Sequence, residues 1–198
     1  METLVQDETF RGRDWALEEV THVRYENCAF HDVDWSEARL TGCVFTHCTF
    51  GNVRFNAATL DRVAILQSRL ERCNFFDATL IGCKLTGSQF MDCGLRPLTV
   101  DGGDWGFVSL RGQNLTAAKL GGLRLREADL MGADLTRADL RGADLSHVRL
   151  KDAVLKGADL RGADLDGVVL RGVLLDGTKI DLAQAAQFAT AHGAVVSA

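Results

Sequence analysis

Proline is almost absent: Pro97 is the only one in 198 residues, against 20 glycines. Ordinary loops draw on both residues, so punctuation by glycine alone argues against a globule stitched together by irregular loops. Apolar runs stop far short of the roughly 20 residues that span a bilayer. The acidic start METLVQDETF has neither the basic residues nor the apolar stretch of a secretory leader. A cytoplasmic protein with no membrane partner is expected. Excess positive charge is missing too: a net charge of −5 argues against gripping nucleic acid through its phosphates and leaves room for a basic partner surface. Phosphate loops, metal-ligand spacings and nucleophile motifs are absent. The five histidines, His22, His31, His47, His147 and His192, are scattered. No catalytic, cofactor or metal site is therefore expected, and the chain reads as a binding protein rather than an enzyme.

What is present is a period of five. Counting from Phe10 to Ile180 gives 35 consecutive apolar residues at every fifth position, and all fourteen from Leu110 to Leu175 are leucine. Five matches neither the 3.6 of a helix nor the 2 of a strand, but it suits a short strand followed by a corner. We call each such residue a centre. Residues two apart in a strand share a face, so the residue two before each centre should also point inward. Those positions hold small apolar residues, such as Val33, Ala38, Val53, Ala128 and Ala138. All six cysteines, Cys28, Cys43, Cys48, Cys73, Cys83 and Cys93, share this phase. They read as small buried hydrophobes rather than a zinc site or disulfides. The residue two after the centre is glycine at fourteen positions, as a turn needing positive φ prefers.

Sorting the centres by twenty separates them by type. The column Val20, Leu40, Leu60 through Ile180 contains no aromatic, whereas another reads Trp15, Trp35, Phe55, Phe75 and then leucine. Four pentapeptides per coil follow, and hence an all-β solenoid of about nine coils over residues 1–180, on the order of 40 Å long. Residues 181–198 break the period. Asp181 suits an N-cap, an alanine-rich run follows, and Gly193 suits a stop, so a short α-helix is expected. Leu182, Ala185, Ala186 and Ala189, with Phe188 nearby, form its apolar face. The residues support two roles for it, a lid on the last coil or a dimer contact.

The repeats ADLMG, ADLTR, ADLRG and ADLSH from Ala128 to His147 resemble the A(D/N)LXX signature of the pentapeptide-repeat family. The segments GLRPLTVDGGDW (94–105), RLREADL (124–130) and AQAAQFATAHG (183–193) resemble its mycobacterial fluoroquinolone-resistance branch. That resemblance implies a right-handed quadrilateral β-helix that dimerises through Leu182, Ala185, Ala186, Phe188 and Ala189. It further implies a DNA mimic, binding no nucleic acid itself, that occupies DNA gyrase, and in some relatives topoisomerase IV. Such a protein inhibits the enzyme or shields it from quinolones or another poison, including one made by the same cell. Relatives with protective loops interrupt their coils; this register is unbroken. A structural or scaffolding solenoid for another protein is the alternative.

Charge qualifies the mimicry. Duplex DNA carries one charge per ~1.7 Å, yet the four sides of residues 8–182 sum to +1, −1, −1 and −2. Residues 1–37 hold ten acids, Glu2 the first, against three bases. Glu18, Glu19, Asp32, Asp34 and Glu37 are the candidate partner-facing acids there, and Asp144, Asp164 and Asp166 form a second group near the other end. Asp before each Leu has a purely structural reading as well, bonding corner backbone.

Overall fold

The structure is a computed structural model that describes residues 3–197; Glu2 lies outside the described residues. It is a four-sided parallel β-solenoid ended by one helix. Each strand pairs with the residue twenty further on, as in Tyr25↔Phe45, Phe45↔Ile65 and Leu40↔Leu60. Like residues therefore stack. Trp15 lies on Trp35 at 5.2 Å between ring centroids, Trp35 on Phe55 at 5.5 Å, and Phe55 on Phe75 at 4.7 Å. Centres and the residues two before them form the continuous core, with Phe30, Trp35, Ala128 and Leu140 each at 0% exposure. The cysteines belong to this inner layer. The Cys43 thiol, for example, donates to the Val20 carbonyl of the coil beneath at 3.4 Å.

The expected count of nine β-coils needs correction. Strands proper build about five turns, from Thr3 to Asp104. Beyond them the same step continues only as single-residue bridges, from Ser109↔Asp129 to Asp159↔Lys179. The cause is local. From Trp105 onward each described corner closes by a hydrogen bond from the N–H three after the centre to the centre's carbonyl, as in Ala128 to Leu125 at 2.9 Å and Ala138 to Leu135 at 2.9 Å. That is a β-turn with its third residue at positive φ, and it leaves one residue per side free to pair. In the first half the Trp15–Trp35–Phe55–Phe75 side closes the same way and also pairs only by bridges. The other early sides have open corners, Leu85 excepted, and there three or four residues pair.

Corners follow the five-residue phase closely. Every residue two after a centre from Asp7 to Gly177 has positive φ except Pro97. Arg96–Pro97 is a cis peptide, and beside it the strands Ala78–Lys84 and Leu98–Asp104 run straight through a corner, joining two sides of the rod. Gly103 sits at φ +121°, where a Cβ would fall 2.2 Å from the Cys83 carbonyl oxygen.

The helix spans Leu182–Ala191. Asp181 caps it and accepts from the Gln184 N–H, while the Gln184 side chain accepts from the Asp181 N–H. Gln184 and Phe188 face the last coil and are buried, at 3% and 6% exposure. Leu182, by contrast, is 90% exposed, Ala185 is exposed, and Ala186 and Ala189 are half-buried. Phe188 thus turns toward the rod, while Leu182 and Ala185 face outward. The last coil has no neighbour to take its carbonyls, so a polar side chain, Gln184, turns inward to meet those of Leu160 and Ala163.

Candidate functional site: the charged surface and the two ends of the rod

The acid before each centre is built into the turn. Asp129 Oδ1 accepts from the Met131 N–H at 3.1 Å, Asp134 from Thr136 at 2.9 Å, Asp139 from Arg141 at 3.1 Å and Asp144 from Ser146 at 3.1 Å. Asn114 does the same for Thr116, and Asp34 for Ser36. A short side chain that captures the N–H two residues on tightens the corner, which is why Asp or Asn recurs there.

Many of these carboxylates are also neutralised. Asp139 grips Arg141 through two bonds of 2.8 and 2.7 Å, and Asp159 grips Arg161 at 2.9 and 2.7 Å. The Arg161 bond holds the Asp159 carboxyl down at about 2. Asp129, nearly buried, sits between Arg149 at 2.7 Å and Arg111 at 3.5 Å on the coils above and below.

Against this background the candidate acids separate. Glu18, Glu19, Asp32 and Glu37 are exposed on the first two coils. Among these, Asp32 accepts from Asn52 at 2.7 Å. Asp34 is half-buried and bonded to Arg54 at 2.6 Å, which draws its carboxyl down to about 2. Asp144 and Asp164 stack in register on one side of the rod. Both serve corners, Asp144 through the Ser146 hydroxyl and N–H, Asp164 through the Asp166 N–H at 2.9 Å. Asp166 is exposed, with His147 at 4.0 Å. The two groups lie about six coils apart, roughly 30 Å at one strand spacing per coil. No continuous acidic stripe joins them, because Arg124 pairs with Asp104 at 3.0 Å on the same side.

Two features escaped the sequence reading. In the first coil the positions two before a centre, inward elsewhere, are Glu8, Arg13 and Glu18, and all three are exposed. Their phase was the signal. They place hydrated charge over the open N-terminal edge, which otherwise invites end-to-end pairing. At the other end the position before the centre turns apolar: Val154, Val169 and Leu174 are 46%, 77% and 77% exposed. Among the described residues, no group of three or more His, Cys, Asp or Glu is arranged to hold a metal.

Comparison with known proteins matches this architecture. The sequence model of pentapeptide repeats matches in eight copies, over residues 26–62, 109–146 and 133–172. No curated protein matches. Among solved structures, trypsin-treated QnrB1, described as a plasmid-mediated fluoroquinolone resistance protein, is 21% identical over 98% of both chains with a TM-score of 0.66. Full-length QnrB1 is 21% identical over 96% of this chain and 100% of its own, with a TM-score of 0.51. HetL, a pentapeptide repeat protein of the cyanobacterium Nostoc involved in heterocyst differentiation, is 22% identical over 90% of this chain and 87% of its own, with a TM-score of 0.44.

Proposed function

Because the chain belongs to the pentapeptide-repeat family, we propose that it is a DNA-mimicking protein that binds DNA gyrase in the cytoplasm, acting by occupancy and not by catalysis. Bound there it inhibits the enzyme, shields it from quinolones or another poison, or does both. The observation that carries this reading is the rod itself: a 20-residue step that runs from Thr3↔Val23 to Asp144↔Asp164, with exposed carboxylates at its N-terminal end. QnrB1, the fluoroquinolone resistance protein it resembles in fold, supports the same assignment. Acids held down by turn bonds and arginines stay ionised, and an ionised array steers a rod toward a basic cleft. In this reading two copies meet through the outward helix face, Leu182 and Ala185, and span roughly 80–90 Å at one strand spacing per coil.

A supercoiling assay tests it. Excess protein should inhibit purified gyrase or relieve a gyrase poison such as ciprofloxacin; if it does neither, the assignment fails. One observation favours a second reading, a solenoid that binds some other protein. The side-by-side pairs Asp139–Arg141 and Asp159–Arg161 leave the C-terminal half with little free negative charge. No binding to gyrase at low or high salt, with supercoiling and its poisoning both unchanged, would support it.

A further inference from the structure

The coil stack opens on two of its sides near the C-terminal end. Coils up to Asp144↔Asp164 are in register on one side, and Asp159↔Lys179 holds another. Between them the steps Arg149↔Val169 and Val154↔Leu174 are missing from the bridge pattern. The main-chain donors confirm the gap: Gly132, one coil below, bonds Lys151 at 3.0 Å, but Leu150, Asp152 and Leu155 find no main-chain partner above among the described residues. Val169 and Leu174, on the opposite lip, are likewise without one. Pairing resumes at Gly157, which bonds Asp176 at 2.9 Å.

The opening coincides with a change in the sequence. The Asp that tightens other corners is replaced by Val154, Val169 and Leu174, so the N–H groups of Lys156, Arg171 and Asp176 have no side-chain acceptor. The inner residues of the upper lip are both valine, Val168 over Val148 and Val173 over Ala153. The result is a groove of about 870 Å³ with Val154, Val169, Leu174 and Met131 among its walls. Its rims are basic. Arg149 and Lys156 are occupied by Asp129 and Asp176. Lys151 on the lower lip and Arg171 on the upper have no carboxylate within 4.0 Å among the described residues. Asp152 is the opposing charge beside them.

We propose that this open edge is a docking site for an extended segment of a partner protein, apolar on alternate residues and acidic at its flanks, which adds to the lips as a strand. Unpaired main-chain groups supply the ladder, the valines and Leu174 take alternate side chains, and Lys151 and Arg171 select the acidic flanks. The proposal is independent of gyrase binding: it concerns another face and a different chemistry.

Fluorescence anisotropy on the full chain tests it, with a dye-labelled peptide of sequence DVTVEVD as probe. Saturable binding is expected, weaker by about tenfold or more for KVTVKVK, where charge opposes the rim, and for DVTVEVD N-methylated at alternate residues, where the ladder bonds are lost. The decisive variant is the double change Lys151→Glu with Arg171→Glu, which should reverse the preference toward KVTVKVK; an unfolded chain would bind neither. Equal binding of all three peptides, no saturation, or no reversal overturns the proposal. So does binding that appears only after truncation at Gly193, since the chain's own tail would then fill the groove. A dimer that Leu174→Asp dissociates, with no peptide bound, would assign the groove to a second copy and overturn it as well.

Discussion

Gln184 Nε2 donates to the Ala163 carbonyl oxygen at 2.9 Å, reaching from the terminal helix into the last coil, and it meets the Leu160 carbonyl as well. The helix is thereby a lid: Gln184 satisfies acceptors that have no further coil above them, and Phe188 extends the core by one layer. Replacing Gln184 by Leu strands two buried carbonyls, and should cost about 1–3 kcal/mol in urea unfolding. Phe188→Ala should cost about 3–5 kcal/mol. Leu182→Asp, at a site 90% exposed, should leave stability within about 0.5 kcal/mol. If the outward face joins two copies, that same change should halve the mass read by light scattering; a retained dimer would exclude Leu182 as a contact.

Counting by fives reached the core residue by residue: Trp35, Phe50 and Leu140, and the cysteines beside them, lie where the phase puts them. It did not reveal which corners close. Corners close at Leu120 and Leu150, where Lys119 and Arg149 precede the centre, as well as at Leu130, so the Asp or Asn tightens a corner without deciding it. Closure is a main-chain bond across three residues, invisible to a count of apolar positions. The inward face of the helix, Gln184 with Phe188, was not legible for a related reason. Helical spacing finds apolar residues, whereas the end of a rod demands a polar one, Gln184, and that demand arises only once the last coil exists. The candidate acids were legible as charge but not as partners: Asp34 looks free in sequence and is held by Arg54 from the next coil, twenty residues away.

Two glycines separate strain from space. Gly132 has φ +66° and open space where a Cβ would stand, so Gly132→Ala should cost only about 1 kcal/mol of left-handed backbone strain. Gly103→Ala drives a methyl to 2.2 Å from the Cys83 carbonyl, a main-chain atom that cannot turn aside. It should part the Ala78–Lys84 and Leu98–Asp104 strands, and circular dichroism melts should show a large fall in midpoint. Equal effects of the two changes would mean that conformation alone matters at Gly103.

Acid should weaken the rod at its ion pairs. Arg54 and Arg161 hold the carboxyls of Asp34 and Asp159 down to about 2 in the folded chain, below the ~3.9 of a free aspartate. A depressed folded value means stability that is fully present above about pH 4 and lost as pH falls toward 2. The melting midpoint should therefore lose these contributions across that window, and Arg161→Met should make the acid limb shallower. Both arginines are more than half exposed, so added salt should shrink the difference. An acid limb unchanged by Arg161→Met would mean that the pair adds nothing to stability.

The N-terminal end poses the opposite problem from the helix-capped one, since among the described residues no helix covers it. Its first strand, Thr3–Gln6, pairs only with Val23–Glu26 above and leaves its other edge bare. A bare parallel edge with an apolar interior would accept the coil end of another rod, and head-to-tail contacts of that kind grow without closing. Glu8, Arg13 and Glu18 stand at the positions that hold Cys28, Val33 and Ala38 one coil on. Stacking a second rod there would bury three charged groups, two of them acidic, without partners. Replacing all three together, Glu8→Cys, Arg13→Val and Glu18→Ala, restores the inner layer of the next coil and removes that penalty. Light scattering should then show mass rising with concentration, whereas the polar control Glu8→Gln with Glu18→Gln should stay at the parent mass. If the triple variant also keeps the parent mass, the edge is protected by something other than these charges. If the control associates too, the protection lies in the ionised carboxylates and not in polarity alone.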